Sequence, residues 1–265
     1  MLNLPAAWDE IVEKWKPTFK PRLAALYRVG SHSHGTHLPA NDPMSVDDLD
    51  LMAVVIPPPE QVLGFREFDH AVVRDGPLDV VIYSWSKYLG MLLKSNPNVL
   101  GTLWLDPEDV WSTQTHPLST LIQHRAIFAS KDAHAHFCGY ARGQLHKMTH
   151  QAFQGYMGAK RKTLVEQFGF DVKNAAHLIR LLRMCSEFLV DGQMVVRRPD
   201  HEEIVSIKRG EWSLERVGVE AQRLFALCDE RLAASTLRDH PDVECAEQIL
   251  IEACWSSWGR MYKRE

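Results

Sequence analysis

Polar and apolar residues alternate over Asp48-Leu49-Asp50-Leu51 and then give way to the apolar, largely β-branched run Met52-Ala53-Val54-Val55-Ile56. That pattern predicts a strand entering a buried sheet, ended by Pro57-Pro58-Pro59. Residues 69–75 predict a short strand. Gly76-Pro77 turns the chain into a second β-rich run, Leu78-Asp79-Val80-Val81-Ile82-Tyr83, and Ser84 or Ser86 is placed to cap a helix near 85–94. Ahead of these strands, residues 6–28 read as one helix, followed by loop chemistry over 31–47. From about residue 117 the period becomes helical. Phe137, Ala141, Leu145, Met148 and Ala152 keep helical spacing, and Lys173 to Val190 is the clearest helix, stopped by Asp191-Gly192. Asp200 with Glu203 resembles a capping box, and further helices fit 213–232 and 242–260. Strands gather in the first third and helices in the rest. The expectation is an α+β protein, with a mixed-sheet core over residues 1–115 and a helical domain over 116–265.

The chemistry follows from where the acids fall. Asp48 and Asp50 are two apart in a strand and therefore share a face. Asp79 stands inside an apolar strand, where a charge is costly unless it is paired or ligates a metal. Arg74 and Lys87 are the competing ion-pair partners for it. Three converging carboxylates call for a divalent cation, and hard oxygen donors select Mg2+ or Mn2+. Upstream, Gly30-Ser31 can let a backbone approach a phosphate and offer a hydroxyl to it, with Gly35 adding freedom to the same loop. A phosphate-holding turn, a DxD strand and a third Asp on a later strand suit phosphoryl or nucleotidyl transfer at two metal ions. Asp48, Asp50 and Asp79 are then the catalytic and metal-holding residues, and Asp79 is also the candidate proton acceptor.

GS…DDLDL…LDVVIY resembles the DNA polymerase β nucleotidyltransferase superfamily, and more narrowly its RNA-ligase-associated (RlaP-type) members. The narrower likeness rests on residues 78–100, 160–192 and 204–215. Sixteen residues separate Ser31 from Asp48, more than the family pattern has, and His32-Ser33-His34-Gly35 replaces its usual motif after the Gly-Ser pair. The resemblance implies a nucleotidyltransferase core closed by a helical domain. It implies an NTP, ATP first, as donor and RNA as acceptor. It gives nucleotide-binding roles to Gly30, Ser31, His34, Lys87, Lys173, His177 and Arg180, with Arg183 continuing the same helix face. A protein or small-molecule acceptor and a non-catalytic nucleotide-binding module are the alternatives.

Composition changes this picture little. Of 265 residues, 45% are hydrophobic and 24% charged, with a formal net charge of −4, so no global basic excess marks a nucleic-acid binder. No apolar run is long enough to span a membrane, and the N-terminal segment lacks the features of a signal peptide. Five widely spaced cysteines, none in a CxxC pair, read as reduced thiols of a cytoplasmic protein. Thirteen histidines invite a zinc hypothesis, and His146 with His150 has helical spacing, but no second pair completes a zinc set.

Overall fold

In the computed structural model, which describes residues 4–39, 41–45, 49–76, 78–112, 115–150 and 159–261, the helix expected over residues 6–28 ends early. Helix α1 spans Leu4–Trp15 and stops at Lys16, whose φ is 51°, just before Pro17. The chain then forms strand β1, Arg22–Arg28. Leu23 through Tyr27 are all buried, because β1 is covered on both faces. A strand buried on both faces loses the period-2 signal, so nothing in the residue pattern separates it from a buried helix.

A short helical turn, α2 (Gly30–Ser33), follows. Strand β2 runs Leu49–Ile56, β3 His70–Asp75 and β4 Leu78–Ser84. Ser84 caps α3 (Trp85–Leu93), its hydroxyl accepting from the Lys87 N–H at 3.1 Å. Helix α4 (Pro97–Leu100) and strand β5 (Val110–Trp111) complete the first part. Helices then take over: α5 Thr115–Gln123, α6 Asp132–His150, α7 Ala159–Phe168, α8 Val172–Asp191, α9 His201–Lys208, α10 Leu214–Ala234 and α11 Val243–Met261. The fold is α+β. No described helix is long and apolar enough to cross a membrane.

The five strands lie in the order β3-β4-β2-β1-β5. β2 and β4 are parallel and the other pairs antiparallel, so the sheet is mixed. The β1–β2 register shifts between Leu23 and Ala25. That bulge turns Leu23 and Leu26 to one face with Trp8 and Ile11 of α1, and Ala24, Ala25 and Tyr27 to the other, where the helices pack. The helix-side core is continuous from Met52 and Val54 through Trp85 to Phe137, Leu181 and Leu224. The last helix returns to the sheet, where the Trp258 indole N–H donates to the Pro57 carbonyl at 2.9 Å.

Two local expectations change. Asp200 does begin α9 but makes no capping bond. Its carboxylate instead accepts from Arg183 at 2.6 Å and Arg198 at 2.8 Å, charge-assisted bonds that outcompete a backbone N–H. Ala152 lies outside the described residues. Gly192 closes α8 as expected, at φ 71°, its N–H donating to the Phe188 carbonyl at 2.8 Å.

Candidate active site

The site begins where β1 ends. Val29 donates to the Asp50 carbonyl at 3.0 Å, which pins the turn after β1 to the start of β2. Gly30 then takes φ +70°, and a Cβ there would stand 2.1 Å from Asp50 Oδ2. Only glycine satisfies both the backbone angle and this approach. The Gly30 carbonyl accepts from the Ser33 hydroxyl at 3.1 Å, and the Ser31 hydroxyl, beside it, is shut from solvent without a partner. Gly30→Ala is expected to push the Asp50 carboxylate out of place. Activity should fall at least tenfold while the protein unfolds at lower urea by about 1–3 kcal/mol, the range for backbone strain. Paired urea melts and turnover assays check both.

Parallel pairing of β2 with β4 sets Asp50 directly beside Asp79. Their alternate neighbours Met52, Val81 and Tyr83 continue the same wall of a cavity of about 460 Å³. Asp79 is 39% exposed, and its Oδ2 accepts from Arg74 Nε at 3.2 Å, with Arg74 75% exposed. The sequence reading of Asp79 as a costly charge inside an apolar strand therefore needs correction: it stands at the open start of β4. Its ion pair is a solvated one, worth about 1 kcal/mol at most. Asp48, the third expected carboxylate, lies outside the described residues.

The same cavity is also lined by cations. Asp171 caps α8, accepting from the N–H groups of Lys173 and Asn174 at 3.1 Å each, and is itself held by Arg161 at 2.7 Å. From that fixed start, Lys173, His177 and Arg180 fall on the helix face that lines the cavity. Lys208 of α9 joins them, buried, its ammonium donating to the Thr36 carbonyl at 2.7 Å. Gly30, Ser31 and His34 line the same space.

Arg180 is the unusual member. Its guanidinium donates to His34 Nε2 and lies 3.4 Å from the Met184 sulfur, and among the described residues it meets no carboxylate. Burial and the neighbouring Arg198 pull its pKa down to about 9, so it remains charged at neutral pH. Arg183, one turn further, is the contrast: it bonds Asp200 and Glu203 at 2.6 Å each and Glu220 at 3.4 Å. Its charge is answered by three described carboxylates; that of Arg180 is answered by none of them.

His34 binds the Val196 carbonyl through Nδ1 at 2.9 Å, which leaves Nε2 as the acceptor for Arg180. Burial and the Arg180 charge hold its pKa well below the usual imidazole range. His177, whose Nε2 is shut from solvent without a partner, is lowered in the same way by burial, Arg180 and Lys173. Both imidazoles are thus neutral in the folded protein, while an unfolded histidine protonates below about pH 6.5. The unfolded chain binds more protons in acid, so stability is full above about pH 6.5 and declines below it. Each histidine contributes a slope of up to about 1.4 kcal/mol per pH unit. Urea melts at pH 7.5 and 5.5 check this, and replacing both histidines by Gln should flatten the difference.

Lys87 does not line the cavity. Its ammonium lies 2.9 Å from Asp69. Lys208, which does line it, was not legible in the sequence, since a lysine beside Ile204 and Ile207 in a short helix reads as a solvated end. A second acidic group, Asp106, Glu108 and Asp109, has oxygens within 4.8 Å of one another. Arg197 reaches Asp106 and Glu108 at 2.6 Å each, and Arg28 reaches Asp109 at 2.5 Å, so two guanidinium groups already answer these acids. The cluster braces the end of β1 against the segment after α8.

The chain matches the family described as the RNA repair pathway DNA polymerase beta family over residues 12–198, a span that holds both described acids and all the cavity cations except Lys208. A solved structure of a nucleotidyltransferase-like protein from Exiguobacterium sibiricum is 12% identical, covering 95% of this chain and 79% of that one with a TM-score of 0.31. No curated protein matches the chain.

Proposed function

From the premise that this chain belongs to the RNA repair pathway DNA polymerase beta family, a nucleotidyltransferase-type family, we propose that it moves a nucleoside monophosphate from an NTP, ATP first, to a hydroxyl or phosphate of an RNA acceptor. The observation that carries this reading is Arg180, a partly buried guanidinium without a carboxylate partner among the described residues, lining the same cavity as Asp50 and Asp79. A partly buried cation that no described carboxylate answers is costly, and a polyphosphate entering the cavity supplies the missing charge. Lys173 and Lys208 add to the same field, and the neutral His177 can donate or accept at a phosphate oxygen.

The donor set suits a hard divalent ion. Two carboxylates stand in register on adjacent strands, and the absent Cβ of Gly30 leaves room against Asp50. Asp50 and Asp79, with Asp48, would hold Mg2+ or Mn2+, which when bound neutralises phosphate charge and lowers the pKa of the attacking group. The protein's own residues do the rest. Arg180, set by its bond to His34, orients the phosphates. Asp79 accepts the proton of the acceptor hydroxyl as its oxygen bonds to the α-phosphorus, and the α–β P–O bond breaks to release pyrophosphate. In this reading, residues 1–115 supply the carboxylates and residues 116–265 the cations.

The test is transfer of label from α-labelled ATP, with Mg2+ present, to RNAs of defined termini. Label on RNA with equimolar pyrophosphate is the expected result. Label on protein or on a small molecule alone would reassign the acceptor. No pyrophosphate from any NTP with any acceptor would leave a nucleotide-binding module in place of an enzyme.

A further inference from the structure

Three of the five cysteines meet away from the cavity. Cys138 of α6, Cys185 of α8 and Cys228 of α10 are fully buried, and their sulfurs all lie within 4.8 Å of one another. No local motif announces them, because each comes from a different helix and the sequence separations are long. The cluster has a polar rim. His134, one turn before Cys138, binds Asp229, the neighbour of Cys228, at 2.8 Å. Arg142, one turn after Cys138, lies over the Phe225 ring at 5.2 Å.

We propose that Cys138, Cys185 and Cys228 form a binding site for one thiophilic d10 cation of the zinc class, which ties α8 to α6 and α10. The geometry is close to what such an ion needs. Zinc–sulfur bonds of about 2.3 Å place sulfurs about 3.8–4.0 Å apart, so the three sulfurs must close by less than about 1 Å. All three donors are soft, which selects against the hard cation suited to Asp50 and Asp79. Loading releases three thiol protons to solvent and forms three metal–sulfur bonds, leaving one net negative charge with a divalent ion. His134 and Arg142 stand where they offset it. Cys185 lies five residues beyond Arg180 on the same helix, so a loaded site fixes the helix that carries Lys173, His177 and Arg180. The site stands independently of the nucleotidyl-transfer reading, and its readouts do not involve turnover.

The reduced full chain, stripped with a chelator, is titrated with Cd2+ and then with Zn2+ against a chromophoric chelator. The expected result is one equivalent of Cd2+ giving a thiolate-to-metal charge-transfer band, the same band when Cd2+ displaces Zn2+ from the Zn2+-loaded chain, and a Zn2+-dependent rise in Tm of roughly 5 °C or more. Zn2+ should also slow alkylation of all three cysteines at the denaturant concentration that half-unfolds the metal-free protein. Cys185→Ala should lose at least a hundredfold in Zn2+ affinity, while the Asp50→Asn/Asp79→Asn double variant keeps it. Should Cys185→Ala fail to fold, the charge-transfer band of the unaltered chain decides. Absence of that band at one equivalent, or undiminished Zn2+ uptake by a folded Cys185→Ala protein, would overturn the site.

Discussion

Arg180→Met should cost the protein its NTP and leave its fold no weaker. The guanidinium is partly buried, has no carboxylate partner among the described residues, and is held by a neutral His34 and a thioether. Methionine keeps much of the volume and removes a charge that no described carboxylate answers. Unfolding free energy is therefore expected to hold or to rise by about 1 kcal/mol. NTP binding should lose about 2–5 kcal/mol, the cost of truncating one partner of a buried charged contact, or roughly 30-fold to several thousand-fold in Kd. Arg183→Met is the control. It takes one partner from Asp200, Glu203 and Glu220, which keep Arg198, Arg216 and Arg223, and should destabilise by about 1–3 kcal/mol, with a far smaller effect on Kd. Calorimetric ATP titration and urea melts on the two variants separate the roles. ATP binding by Arg180→Met at the strength of the unaltered chain would remove Arg180 from the site.

Asp50→Asn and Asp79→Asn should each reduce kcat by about 10³-fold, within the range for loss of a catalytic carboxylate. Neither should change stability by more than about 1 kcal/mol, because both carboxylates stand at partly exposed strand starts. The two differ in rescue. Asp50 lies under Gly30 and acts through the metal, so excess Mn2+ should recover part of the activity of Asp50→Asn. Asp79 also takes the proton, so saturating metal should leave Asp79→Asn slow. Quenched-flow rates at rising Mn2+ distinguish them.

What the sequence made legible was local. The alternation around Asp50 and the β-run around Asp79 show in the residue pattern, and parallel pairing then brings the two acids side by side. The helix carrying Lys173, His177 and Arg180 is amphipathic and carries its own stop at Asp191-Gly192, so it too is visible. β1 is not visible, because burial on both faces erases the alternation that marks a strand. Lys87 looked like a site residue from its place after the third acid, yet the helix start turns its ammonium to Asp69. The bond between His34 and Arg180 spans 146 positions, and the cysteine cluster draws on three helices. Such meetings are set by packing angles between elements, which no periodicity encodes.

The most direct measurement of the central claim is a crystal of the protein with Mn2+ and a non-hydrolysable ATP analogue, read by the anomalous signal of the metal. The expected peak is ligated by both Asp50 and Asp79, with phosphate oxygens against the Arg180 guanidinium. A peak at Asp106, Glu108 and Asp109 instead, or a bound analogue whose phosphates do not reach Arg180, would contradict it.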